Sequence, residues 1–307
     1  MLAGVDGIIR KRGTAIGYVT VEIRGGLGNQ LFQYATGFAI AARHRVPLRL
    51  DLRQVVGDGP MRFCLDELGI HCETADARHY ALPPKTAGSS FKKRKRAAKD
   101  WLRHKLGTSP KRVEDAGSIF TPSALTTAPP LYLKGYWQSE RYFDSHADAL
   151  RARLQLPLPA SPSLIQRIDD PSTVAVSMHV RRGDYVGQAR FPCCPPEYYR
   201  RAAGEIARRV SRRPVFFIFS DDLDWADRNL QLDYDRVLVD EAGTHRNYED
   251  MALMSRCEAH VIANSSFSWW GAWLNPDPDK IVYAPTEWFG GVATRELAIL
   301  PASWSEI

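Results

Sequence analysis

Residues 18–42 read YVTVEIRGGLGNQLFQYATGFAIAA. Tyr18 to Ile23 is dominated by β-branched and aromatic side chains and is closed by Gly25 and Gly26, which reads as a strand ending in a tight turn. Beyond the turn Leu31, Phe32, Ala35, Phe38, Ala39 and Ala42 recur at the spacing of one helix face, with Asn29 placed to cap that helix. Strand, glycine turn and helix form the opening of a nucleotide-binding α/β unit, and Val46 to Leu50 supplies the next strand. The turn allows close approach of backbone to a ligand and aims helix-start amides at an anion, so Gly26, Gly28 and Asn29 are candidate binding residues. The same glycines equally suit a plain strand-to-helix connection. Neither the GxGxxG nor the GxxxxGK[ST] spacing is present, so ordinary dinucleotide and P-loop assignments fail.

The C-terminal half has a cleaner rhythm. Thr173 to Val180 is an apolar strand and Pro196 to Val210 a helix; Pro214 to Phe219, Arg236 to Val239 and Ala259 to Ala263 are further strands, with helices after Asp222, Asn247 and Ser266. Apolar strands alternating with helices predict a parallel sheet covered on both faces, with its ligand site at the carboxyl ends of the strands. Between the halves, Leu131 to Lys134 reads as a strand. Gly135 to Phe143 (GYWQSERYF) leads into a helix ending near Leu154, and the proline-rich stretch Leu156 to Ser163 reads as a linker. A chain of 307 residues is long for one domain and comfortable for two. The expected division is therefore 1–157, carrying the glycine motif, and 158–307.

Composition narrows the class. One quarter charged and 44% hydrophobic residues match an ordinary globular protein. A net charge of +6 points to an anionic partner: a phosphorylated small molecule, nucleic acid or an acidic membrane surface. The five cysteines form neither a CxxC pair nor a metal-ligand cluster, and their odd number fits a reducing cytoplasm better than a secreted disulfide framework. No window approaches the length of a membrane span, and residues before Tyr18 read as a lead-in. Phe91 to Lys105 (FKKRKRAAKDWLRHK) is a dense basic run with few apolar anchors. It reads as an exposed, solvated helix or loop, with docking of the protein to anionic lipid at the inner face of the membrane as a further reading; nucleic-acid binding is the remote alternative, and no nucleic-acid partner is expected.

Four polar groups follow predicted strands, where a doubly wound fold assembles its site. In HVRRGDY, a strand delivers His179, Arg181, Arg182 and Asp184 within six positions. A guanidinium presents a planar fork of donors that matches phosphate oxygens and does not lose its charge, so a diphosphate is the natural counterion. An Arg–Asp network bracing a turn is the competing account. After FFIF, Asp221 and Asp222 suit either a guanine edge and ribose hydroxyls or a simple helix cap. Asn264 to Trp273 runs from a strand end into an aromatic helix. There Ser265, Ser266 and Phe267 suit a phosphate wall, while the three tryptophans suit core packing better than sugar stacking. Nothing has the spacing of an HExxH or Cys/His site, so no metal is expected.

Taken together, GGLGNQLFQYA, GYWQSERYF, HVRRGDY, FSDD followed by Trp225, NSSFSWWGAWL and the tail APTEWF resemble the α-1,2-fucosyltransferases of glycosyltransferase family 11, in the family's order across residues 22–289. The resemblance implies a GT-B-like architecture of two Rossmann-like domains with a nucleotide-sugar site in the cleft, the C-terminal one binding GDP-sugar and the N-terminal one facing the acceptor. It implies inverting, metal-independent transfer of L-fucose from GDP-fucose to the 2-hydroxyl of a terminal galactose, in an O-antigen or related oligosaccharide. By position, Arg181 matches the arginine that grips the β-phosphate, with His179 and Arg182 beside it. Asn29 matches the amide of the glycine motif, and Ser265 to Phe267 the opposite phosphate wall. Asp184, on the same loop as Arg181, is the candidate base. Another GDP-sugar or another fucosyl linkage is the alternative within this class.

Overall fold

The computed structural model describes residues 17–55, 57, 62–76, 79–80, 109–115, 117, 119–154, 156–158, 161–240 and 247–307. The basic run 91–105 and the N-terminal lead-in before Gly17 lie outside the described residues.

The first sheet is built from β1 (Val19–Glu22), β2 (Leu48–Asp51), β3 (Glu73–Thr74), β4 (Lys111–Glu114) and β5 (Leu131–Lys134), in the order β3-β2-β1-β5-β4 and parallel throughout. Helix α1 (Leu27–His44) connects β1 to β2. The second sheet joins β6 (Thr173–Val180), β7 (Arg213–Ser220), β8 (Asp235–Leu238), β9 (Ala259–Val261) and β10 (Ile281–Ala284). A small hairpin of β11 (Glu287–Phe289) and β12 (Val292–Ala293) follows, and β13 (Ser305–Glu306) returns to the edge. The order is β13-β10-β9-β6-β7-β8, again parallel. Two parallel α/β sheets, each with helices packed against it, make the α/β, GT-B-like class expected from the sequence.

The central strand shows why the second sheet needs both faces covered. All eight residues of β6 are buried. Val174, Val176, Met178 and Val180 pack against Tyr198, Tyr199, Ala202 and Ile206 of the helix Pro196–Arg209. Ala175, on the opposite face, joins a separate cluster with Leu253 and Met254 of the helix Asn247–Arg256. The period-two alternation of a strand thus serves two cores at once.

The halves are fused rather than merely adjacent. One continuous apolar core runs from Val19, Val21 and Leu133 through Phe32 and Phe143 to Trp269, Trp270, Trp288 and Trp304. Phe32 stands 4.4 Å from Trp269 and 5.1 Å from Trp270, and Phe143 stacks on Trp270 at 5.6 Å. The tryptophan helix Ser266–Leu274 therefore follows a strand of the second sheet yet fills the core of the first. Trp269 and Trp270 are fully buried and Trp273 nearly so, which decides for core packing over sugar stacking.

The glycine turn differs from its sequence reading in one respect. The helix is capped by Gly26, in extended conformation, and Asn29 lies inside its first turn with its N–H donated to the Gly26 carbonyl. The helix begins at Leu27, itself buried, four residues before Leu31, where the apolar spacing starts. Gly28 makes a close approach, but to protein: a Cβ there would stand 2.6 Å from the Ser266 carbonyl carbon and oxygen. The starts of α1 and of the tryptophan helix meet at that contact, bringing the carboxyl ends of the two sheets face to face.

Candidate active site

Full register between β6 and β7 pairs Val180 with Ser220, so the two loops leave the sheet side by side. That alignment sets Arg181 and Arg182 opposite Asp221 and Asp222. Arg181 Nη2 donates to Asp184 Oδ1 at 2.5 Å and its Nη1 lies 3.0 Å from Asp221 Oδ2. The Arg182 backbone N–H donates to Asp221 Oδ1 at 2.8 Å and its Nε to Asp222 Oδ2 at 3.1 Å. Its guanidinium lies over the Trp225 ring at 3.9 Å. Asp222 also caps the helix Leu223–Asn229 by accepting from Trp225 N–H. Of the two aspartates it is thus Asp222 that caps, while Asp221 binds both arginines. Asp184 pairs with Arg181 and not with Arg182.

The loop is tied to the neighbouring strand end as well. Tyr185 Oη donates to the Asn264 carbonyl at 3.2 Å, and the Asn264 amide donates to the carbonyls of Pro192 and Trp288. Asn264 leads into Ser265, whose hydroxyl accepts from Phe267 N–H and caps the tryptophan helix. HVRRGDY and NSSFSWW therefore stand side by side beyond the carboxyl ends of neighbouring strands.

His179 bridges them from below. Its ring is 5.4 Å from that of Phe267, it is 5% exposed, and its Nδ1 has no hydrogen-bond partner among the described residues. Burial, reinforced by the positive charge of Arg181, pushes its pKa down to about 3. Burial therefore keeps His179 neutral at physiological pH, and it adds no third positive charge to the loop. Burial likewise pushes the Tyr185 phenol up to about 12.

Three features escaped the sequence reading as individual residues: the stacking of Trp225 on Arg182, the anchoring of Tyr185, and Gln138, whose Nε2 donates to Asn29 Oδ1 at 2.7 Å. Only the family order of motifs hinted at the last. A further polar group, Glu22, Asp51 and Tyr132, sits on the first sheet. It is satisfied internally: Tyr132 Oη lies 2.7 Å from Asp51 and 3.2 Å from Glu22, and Arg53 forks onto Asp51. Among the described residues no group of three or more His, Cys, Asp or Glu could hold a metal ion, and no helix is long and apolar enough to cross a membrane.

Comparison with known proteins decides the class. The sequence profile of glycosyl transferase family 11 matches residues 100–305. The chain belongs to glycosyltransferase family 11. It is 32% identical over 304 residues to an alpha-1,2-colitosyltransferase of Escherichia coli, covering 94% of this chain and 98% of that one. It is 28% identical over 299 residues to the O-antigen biosynthesis glycosyltransferase WbnK of the same organism, covering 88% and 94%. Galactoside alpha-(1,2)-fucosyltransferase 1 of Leontocebus fuscicollis is 25% identical over 270 residues, covering 83% of this chain and 65% of the relative. The protein is thus an enzyme, a family 11 glycosyltransferase, and the arginine-rich loop and the tryptophan helix fall inside the matched region.

Proposed function

We propose that the enzyme transfers L-fucose from GDP-fucose to the 2-hydroxyl of a terminal galactose, with inversion and without a metal ion. The observation that carries this reading is the convergence of two guanidinium groups, a neutral buried histidine and the serine-capped start of a helix at the carboxyl ends of adjacent parallel strands.

In the reaction, the acceptor oxygen forms a bond to the anomeric carbon as the carbon–oxygen bond to GDP breaks, and negative charge grows on the leaving β-phosphate. Arg181 stabilises that charge, an interaction stronger in the transition state than in the ground state. Three carboxylates face two guanidiniums here, so phosphate must displace one of them. Asp184 is the one to yield, because its side chain is 69% exposed against 27% for Asp221 and 37% for Asp222. An ion pair this exposed contributes about 0–1 kcal/mol, so little is lost when a more highly charged phosphate takes the place of Asp184 on Arg181. Released from Arg181, Asp184 is free to take the proton of the attacking hydroxyl. Gly26 and Asn29 line one wall and Ser265, Ser266 and Phe267 the other beside the phosphates, with Gly28 packed between the two helix starts, and Asp221 and Asp222 hold the arginines beside the nucleoside.

The similarity to a colitosyltransferase supports a second reading, GDP-colitose as donor; colitose is fucose lacking the 3-hydroxyl. A thermal-shift panel of GDP-fucose, GDP-colitose, GDP-mannose and UDP-galactose, followed by linkage analysis of the product, separates the readings. The strongest shift belongs to GDP-fucose. A stronger shift with UDP-galactose, or a product linked elsewhere than at the 2-position, contradicts the assignment.

A further inference from the structure

The first sheet offers one side chain to the site under unusually tight control. Asn29 is half-buried in the first turn of α1, next to Gly28, which touches Ser266. Its amide is held at one end by a hydrogen bond and given room at the other by a glycine. Gln138 Nε2 donates to Asn29 Oδ1 at 2.7 Å, from a segment 109 residues further along the chain. Gly25 has φ +79°, and a Cβ there would stand 2.8 Å from Asn29 Nδ2, so glycine leaves the amide its space.

Gln138 reaches Asn29 through a strained stretch of backbone. Trp137 adopts φ +57° and Gly135 φ +150°. For a large side chain the left-handed region costs on the order of 1–3 kcal/mol, and such strain collects at functional sites. The fold holds the strain by burying Trp137 completely and by letting Asp115 Oδ2 accept the N–H groups of Tyr136 and Trp137 at 3.2 and 3.1 Å. Gln138 itself is 9% exposed. Packing alone does not require this arrangement, since Gln33, Gln30 and the aromatic core already fasten the glycine turn.

An amide has two ends of opposite polarity, and only one suits an anionic ligand. We propose that Gln138 is a positioning residue for sugar transfer: by occupying Asn29 Oδ1 it turns the Nδ2 hydrogens toward the nucleotide sugar, so that the first sheet presents donors to the donor substrate's oxygens. This inference rests on the reading of Asn29 as a wall of the donor site.

The test is steady-state kinetics with GDP-fucose on the full chain, with thermal unfolding of each variant alongside. Asn29→Asp keeps the oxygen that Gln138 binds and removes the Nδ2 hydrogens. Gln138→Glu cannot donate, so it takes a hydrogen from Asn29 Nδ2 and turns the amide over. Gln138→Met removes the bond while keeping bulk. Each is expected to lower kcat/KM for the nucleotide sugar about tenfold or more, the weight of one hydrogen bond to a charged group, with melting temperature little changed. Combining Asn29→Ala with Gln138→Glu is expected to cost no more than Asn29→Ala alone, because both act through one amide. Additive losses in the double variant overturn the positioning role, since Gln138 would then act on something other than Asn29. Wild-type kinetics for Gln138→Glu or Gln138→Met beside an impaired Asn29→Ala overturn it too, while leaving Asn29 in the site. Wild-type kinetics for Asn29→Ala or Asn29→Asp remove Asn29 from the site, and the inference falls with that reading.

Discussion

Replacing Gly28 by alanine sets two effects of opposite sign against each other. In a helix, glycine is about 0.8–1 kcal/mol less favourable than alanine, so propensity alone predicts that Gly28→Ala stabilises the protein. The added methyl would, however, lie 2.6 Å from the Ser266 carbonyl carbon and oxygen and 2.7 Å from the Phe267 nitrogen. These are backbone atoms at a capped helix start, and behind them stand Trp269 and Trp270, both fully buried. No flexible side chain is available to give way. Forcing one carbon into such a contact costs about 1–3 kcal/mol, which outweighs the gain in propensity, particularly in a first turn where propensity counts least. The variant should therefore unfold at lower denaturant concentration with an unchanged slope. Because the displaced atoms belong to the proposed phosphate wall, it should also show a smaller thermal shift with GDP-fucose. A Gly28→Ala protein as stable as wild type, or more so, would refute the claim that this glycine exists to let the two helix starts meet.

Other consequences are as specific. Trp270→Ala should cost about 3–5 kcal/mol and still unfold in a single transition, because its ring is shared by both halves; calorimetry resolving two transitions, only one of them shifted, would contradict the continuous core. His179 and His260 are each pushed down to about 3 by burial from an ordinary value of 6.5. Below pH 6.5 the unfolded chain binds protons that the folded chain refuses, so stability should fall as pH drops from 6.5 toward 3, by about 1.4 kcal/mol per pH unit for each histidine. Denaturation midpoints that stay flat between pH 7 and pH 5 would exclude this. Asp184→Asn retains an oxygen for Arg181 but cannot take a proton; turnover should drop about 10²–10⁴-fold with the fold intact, and a normal rate would remove Asp184 as the base.

Much of this was legible from local pattern, because the strands are rich in β-branched residues and carry their polar side chains just past their ends. β6 runs over Thr173–Val180 as its apolar run indicates. The loop after it was recognisable because two arginines and an aspartate within four positions are costly to leave unpaired. Other features depend on tertiary alignment that no local pattern records. That Arg181 and Arg182 meet Asp221 and Asp222 follows from the register of β6 against β7. Gln30 and Gln33 look like exposed positions in an amphipathic helix but are fully buried, their amides satisfied by backbone at Arg24, Gly25, Arg62, Cys64 and Gly135. With both sides of α1 covered, by its own sheet and by the tryptophan helix, helical periodicity reveals only the first. The bond from Gln138 to Asn29 is of the same kind, since it joins two motifs far apart in the chain.

On the proposed function, Arg181 holds the departing diphosphate without a divalent cation. Calorimetric titration of GDP into wild type and Arg181→Ala, both in EDTA, tests it most directly. Wild type should bind GDP under chelation, and Arg181→Ala, although folded, should bind at least about tenfold more weakly, the loss expected for one charged hydrogen-bonding partner. Equal affinity of the two proteins, or wild-type binding that disappears with the chelator and returns with magnesium, would contradict it.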